Sequence, residues 1–214
     1  AEAVRFIRRN KNRPFFLYLP YTFPHVPLFA SDAHRGRSLR GLYGDVVEEI
    51  DAGAGEIVNV LHELGLADRT LVFFTSDNGP WLIKKQNGGS AGLLREGKGS
   101  TWEGGMRVPA IAWWPGTIKP GVTPQLACTM DLFTTCTSPG PRDSFFYDRG
   151  ETLMAVRKGP FKAHLITQDA YGPDSRQPET HDPPLLFNLE HDPSEQVDVA
   201  ADHPGVLADI RREI

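Results

Sequence analysis

The sequence predicts an α/β fold with a small antiparallel sheet and a terminal helix appended to it. Three observations carry that expectation. The apolar residues Val47, Ile50, Ala54, Ile57, Leu61 and Leu64 recur at alternating steps of three and four, with Gly65 where a C-terminal cap belongs. Leu71-Val72-Phe73-Phe74 is a continuous apolar run, as expected of a parallel strand covered on both faces. Beyond about residue 140 the texture changes to short strands and tight turns, which places an α/β domain at residues 1–140 and a smaller α+β subdomain at 141–214.

Residues 1–9 have the pattern of an amphipathic helix, and "RPFFLYLP", 13–20, suits a buried strand bounded by prolines. A proline-rich loop, "YTFPHVPLF", follows, and then a polar stretch to Gly44. The helix begins near Asp45, and the strand "TLVFFT" covers 70–75. A glycine-rich loop occupies 79–105, ahead of a further strand within "VPAIAWWP", 108–115. In the last third, Arg157-Lys158-Gly159-Pro160 reads as a hairpin connection and 169–184 as a long polar surface loop. "PPLLFNLEHDP" offers one more strand, and a helix closes the chain from Pro204.

Composition narrows the function classes. With 214 residues, 40% hydrophobic and 23% charged, the chain has the make-up of a globular protein able to bury a sizeable core. A net charge of −4 and the lack of a Lys/Arg-rich run argue against nucleic acid as a partner. No apolar run approaches the roughly 20 residues of a transmembrane helix. The chain opens "AEAVRFIRRN", without an initiator methionine or an apolar signal segment, and reads as a fragment or a processed product. Cys128 and Cys136 are too few for a disulfide framework or a zinc cluster and read as ordinary thiols.

Three places could carry chemistry. Asp77-Asn78-Gly79 sits where a strand ends, the edge at which α/β sheets gather ligands. A carboxylate and an amide oxygen there suit a hard cation such as calcium, although any D-N-G triplet can also form a simple Asx turn. Lys98 lies between two glycines in "GKGSTWEGG", a compact cation on backbone free to approach an anionic oxygen. The loop is not a P-loop, because G-x-x-x-x-G-K-[ST] is absent. His25 stands in "FPHVP", its loop stiffened by Pro24 and Pro27, where an imidazole could serve an anion or act as a general acid. The other six histidines, His34, His62, His164, His181, His191 and His203, read as surface residues.

In order, "PHVP", a helix, "LVFFTSDNG" and "GLLREGKGSTWEGGMRVPAIAWWPG" resemble the sulfatase family, in particular its arylsulfatase A type, and "LFNLEHDPSEQVDVA" resembles that family's closing strand and loop. The resemblance implies an alkaline-phosphatase-like mixed or parallel sheet flanked by helices. It also implies calcium-dependent hydrolysis of small-molecule or glycan sulfate esters, with a formylglycine made from cysteine or serine. Carried over, Asp77 and Asn78 match a pair of calcium ligands, Lys98 matches the lysine that contacts the sulfate, and His25 matches a histidine near the leaving oxygen. Members are usually lysosomal or exported. The resemblance leaves a homo-oligomer open.

The departures matter as well. The family's nucleophile lies in a C/S-x-P/A-x-R motif near the N-terminus, and the chain is read as having none. "CTSPGPR", 136–142, has its proline and arginine at the wrong offsets. The remaining calcium ligands belong to the same absent half. The sequence therefore resembles the C-terminal half of a sulfatase, expected to be inert alone. Two other readings stand beside it: a phosphate or phosphonate monoester hydrolase of the same superfamily, and a truncated, non-catalytic binding module.

Overall fold

The computed structural model describes residues 1–137 and 142–214, so the proline-interrupted stretch at 139–141 lies outside the described residues. The chain divides into two compact units. The first comprises Ala1–Thr75, Lys84–Gly89 and Pro109–Gly121, and the second Ser76–Ile83, Ser90–Val108 and Val122–Ile214. Among the described residues no helix is long and apolar enough to cross a membrane.

The first unit holds helices α1 (Glu2–Asn10) and α2 (Gly41–Glu63) and strands β1 (Val72–Thr75) and β2 (Ala110–Trp113). The apolar stripe read from the sequence places Leu61, with Ile57 and Leu64, against Ile7 of α1 and Leu66; Val60, outside the stripe, joins them, and Phe15, Leu17, Val72 and Trp113 pack around. Val47 of the stripe is exposed instead. Gly65 takes φ +63°, which ends α2 without the penalty a side chain would bring. A second cluster sets Val46 of α2 against Leu28 and Ala30, with Phe23, Val26 and Ile50 alongside, and so seats the His25 loop. Asp45, 2% exposed, accepts the backbone N–H groups of Gly36, Arg37 and Ser38 at 2.8–3.0 Å. Those bonds, the one from Ser38 foremost, hold its carboxyl below the usual range.

Two strand readings change here. β1 pairs with β2 antiparallel rather than parallel, with Val72 opposite Trp113 and Thr75 opposite Ala110. Residues 13–20 run without regular secondary structure instead of forming a strand. Their side chains still alternate: Phe15 and Leu17 join the core, whereas Phe16 and Tyr18 are 87% and 75% exposed. Phe73 and Phe74 are also exposed, so the continuous apolar run is not covered on both faces. Apolar content reveals a strand-like tendency but not which partner supplies the ladder.

The second unit is built on a four-stranded antiparallel sheet, β3 (Ser144–Arg149), β4 (Thr152–Lys158), β5 (Phe161–Thr167) and β6 (Glu179–Asn188), in sequential order. The β4–β5 hairpin turns at Gly159-Pro160 as read, with Gly159 at φ +54°. β6 starts at Glu179, so the polar loop is shorter than 169–184. α5 (Pro204–Glu213) has proline in its first turn, where a missing N–H is harmless. The unit also holds α3 (Glu103–Met106) in the glycine-rich loop and α4 (Asp131–Thr137). The Arg142 guanidinium grips both Asp131 oxygens, its bonds from Nε and Nη2 spanning 2.6–3.2 Å, and lowers that carboxyl to about 2.

Successive strand residues face opposite sides, and the two sides of this sheet are covered differently. On one side Val156, Ala163 and Leu186 pack on Leu207 and Ile210 of α5. On the other, Lys162 and His164 lie beneath the glycine-rich loop, and both are 0% exposed. Lys162 Nζ donates to Thr101 O at 2.6 Å and to Glu103 Oε1 at 3.0 Å, and lies 3.3 Å from Glu195 Oε1. Glu195 Oε2 accepts the Glu103 N–H at 2.7 Å, and its Oε1 lies 2.8 Å from His164 Nε2. His164 is therefore a core residue rather than the surface residue expected. Its ring stacks on Trp102 with centroids 4.2 Å apart, and its Nδ1 has no hydrogen-bond partner.

Burial lowers the His164 pKa from 6.5 to about 4, against the opposing pull of Glu195. The ring is neutral near pH 7, with Nε2–H donating to the carboxylate. Burial pushes Glu195 up, but Lys162 and His164 together outweigh it and hold the carboxyl below its ordinary value.

Two outcomes are expected. Leu186→Ala, at a fully buried position, lowers unfolding free energy by about 2–5 kcal/mol in urea titration. For His164 the folded pKa lies below the unfolded value of 6.5, so the unfolded chain binds the proton first. Its contribution is intact above pH 6.5 and is lost as the pH falls to about 4. The full loss is roughly 3 kcal/mol. Urea titrations of wild type and His164→Gln across that range should show a flatter pH dependence in the variant.

Candidate functional site

Asp77 and Asn78 occupy a bend directly after β1 in the chain. Asn78 Nδ2 donates to Asp77 Oδ2 at 2.6 Å, so the two head groups already face each other. Gly79 N donates to Gly105 O at 2.9 Å, and Lys98 N donates to Pro80 O at 2.8 Å. The bend and the glycine-rich loop are thus stitched together by two main-chain bonds, made at the two residues that follow Asn78. Glycine is required at the contact: a Cβ on Gly79 would lie 1.8 Å from Gly104 O, and one on Gly97 would lie 2.6 Å from Pro80 O.

Lys98 is half-buried, with its Nζ 5.6 Å from the centre of the Trp81 ring. The stretch around it is fastened at both flanks. Upstream, Arg95 Nη1 donates to Glu195 O at 2.8 Å, and its guanidinium carbon lies 3.7 Å above the Trp102 ring. Downstream, Thr101 and Glu103 are held by Lys162. Tyr171 of the β5–β6 loop covers Gly99, where an added Cβ would lie 2.4 Å from its ring, and donates its N–H to Lys98 O at 3.4 Å. Asp77, Asn78 and Lys98, singled out from the sequence, therefore share one unit and one backbone scaffold.

His25 belongs to the first unit and is exposed on its loop. Its Nδ1 lies 2.7 Å from Val26 O. A carbonyl only accepts, so Nδ1 carries the proton in that bond.

Asp77 and Asn78 offer hard oxygen donors, the type calcium takes. Calcium takes about six to eight such ligands, and the pair falls well short of that number. Among the described residues no group of three or more His, Cys, Asp or Glu is placed to hold a metal ion. The donor chemistry fits; the donor count of these residues does not. Cys128 is a half-buried free thiol, as expected.

Sequence reading missed the network beneath the loop. Its signal was the glutamate of the E-G-G stretch, Glu103, quoted in the motif but given no role. The reading that the chain has no C/S-x-P/A-x-R motif is corrected by one formal match, Ser31-Asp32-Ala33-His34-Arg35. There Ser31 Oγ lies 3.1 Å from His34 Nδ1, Ser31 O accepts the His34 and Arg35 N–H groups, and Arg35 Nη2 points to Ala30 O at 3.4 Å. Ser31 serves its own turn.

Comparison with known proteins bears on all of this. Residues 1–138 match the Sulfatase family, and residues 140–214 match the C-terminal region of aryl-sulfatase. Arylsulfatase A of Homo sapiens is 37% identical over 240 residues, covering 94% of this chain and 47% of the relative. N-acetylgalactosamine-6-sulfatase of Rattus norvegicus is 43% identical over 241 residues, covering 91% and 46%. The chain thus spans about half the length of the curated relatives it matches. Among solved structures, PsFucS1 sulfatase from Pseudoalteromonas sp. superposes with a TM-score of 0.91 at 26% identity, over 99% of this chain and 50% of that one. That superposition bears out the fold class read from the sequence. The chain belongs to the sulfatase family.

Proposed function

We infer that these residues form the calcium- and sulfate-binding part of a sulfuric ester hydrolase, and that the chain does not turn over substrate by itself. The observation that carries this reading is the main-chain stitching of the Asp77-Asn78 bend to the Lys98 loop. It keeps an oxygen-donor pair and an ammonium on one rigid scaffold, the combination a tetrahedral anion and its counter-cation need. Support also comes from the sulfatase relatives, each matched over nearly the whole of this chain.

In this reading Lys98 binds a sulfate oxygen and offsets the negative charge that builds there as the ester bond breaks. Asp77 and Asn78 supply two of the residues that hold calcium, and the remaining ligands come from outside these residues. Calcium, when bound, supplies Lewis-acid stabilisation of charge on sulfate oxygens. His25 serves the leaving oxygen. The nucleophile, a formylglycine in this reading, also lies outside these residues. The substrates proposed are sulfate esters of small molecules or glycans, the glycan class suggested by N-acetylgalactosamine-6-sulfatase among the relatives.

The 214-residue chain, assayed on an aryl sulfate with calcium, should show no turnover above background; clear Lys98-dependent turnover would contradict the assignment of the nucleophile. A natural polypeptide carrying these residues together with a nucleophile motif should hydrolyse aryl sulfate in preference to aryl phosphate. There Lys98→Ala should lower kcat/KM by about 10²–10³-fold. Preference for the phosphate ester would favour the phosphatase reading instead.

A further inference from the structure

We propose that Lys162 and Glu195 are positioning residues for Lys98, clamping both flanks of its loop through Glu103 and Arg95 so that the C-terminal sheet sets the geometry of sulfate binding. The proposal rests on the reading of Lys98 as the sulfate ligand.

The clamp follows from where each bond lands. Lys162 holds the loop at Thr101 O and Glu103 Oε1, three and five residues after Lys98. Glu195 holds it at the Glu103 N–H with a side-chain oxygen and at Arg95 Nη1 with its own carbonyl. A single salt-bridged pair at the sheet and the 192–196 turn therefore fixes the loop before and after the catalytic cation. The same bonds reach the Asp77-Asn78 bend, because Gly105, two residues beyond Glu103, accepts the Gly79 N–H at 2.9 Å.

Stability alone does not call for this arrangement. Buried ion pairs are often matched or exceeded by apolar side chains of the same volume, and in some proteins what they add is a single allowed geometry. Apolar packing already joins the loop to the sheet, through Trp102 against Phe187 and Leu189. Lys162 adds direction. Its three oxygen neighbours, with the Tyr147 ring 4.2 Å from Nζ, leave the ammonium one position to occupy. Glu103 also has Arg157 Nη1 at 3.8 Å and Arg107 Nη1 at 3.9 Å, so a shift of the loop would separate several charges at once.

The test is an NMR titration of the 214-residue chain with inorganic sulfate, following the indole N–H signals of its four tryptophans. Trp81, beside Lys98, reports binding, and Trp102 reports the clamp. Wild type should show a Trp81 shift that Lys98→Met abolishes. Lys162→Met should raise the sulfate Kd about tenfold, as is common when a group that orients a ligand is removed. Ile210→Ala weakens the opposite side of the same sheet without touching the clamp, and should leave Kd within about twofold. If Lys162→Met does not fold, Glu195→Gln, which keeps the side-chain shape, should raise Kd in its place. Lys98-dependent binding that both clamp variants leave within twofold of wild type overturns the clamp alone. An equal loss in Ile210→Ala reduces Lys162 to a purely structural role and also overturns it. A wild type without Lys98-dependent binding overturns the reading of the site, and the clamp with it.

Discussion

The second unit depends on a lysine with no access to water. Lys162 is enclosed by two glutamates, a backbone carbonyl and a tyrosine ring, and none of these groups could remain buried without the others. An isolated ammonium or carboxylate in such surroundings carries a heavy desolvation penalty, so the cluster forms as a unit or not at all. Tyr147 feels the same confinement. Its hydroxyl pKa is raised, first by burial and then by the charge of Glu103. Because two of the groups come from the glycine-rich loop, one from the sheet and one from the 192–196 turn, folding of the sheet and shaping of the loop become one event.

Glycine makes that shaping compatible with close backbone contact. The bend at Asp77-Asn78 and the loop around Lys98 approach so nearly that oxygen atoms occupy the places where side chains would begin at Gly79 and Gly97. The sequence spends flexibility there, and the ionic cluster removes it again. A loop rich in glycine need not be loose.

Much of this was legible in the residues. The three-and-four stripe of α2, its exposed first member Val47 apart, the Gly159-Pro160 turn and the proline that opens α5 are local signals, and they appear where the sequence places them. Asp77, Asn78 and Lys98 could be singled out because short motifs fix chemistry within a few residues. Pairing sense was not legible, since a run such as Leu71-Val72-Phe73-Phe74 looks the same in either sheet type. Lys162 and His164 were hidden for a related reason. At alternate positions in "FKAHLIT" they read as the wet face of a half-exposed strand, and only the loop folded over that face, nearly 60 residues earlier in the chain, makes it a core. No local pattern records such a cover.

The central claim is that the oxygen-donor pair and the ammonium address one anion and its cation. A crystal of the chain grown with calcium and selenate, a tetrahedral stand-in for sulfate with a strong anomalous signal, tests it directly. The account predicts selenium within hydrogen-bond reach of Lys98 Nζ and a cation touching Asp77 and Asn78. Ordered selenate bound elsewhere, with Lys98 turned away from the Asp77-Asn78 bend, would contradict it.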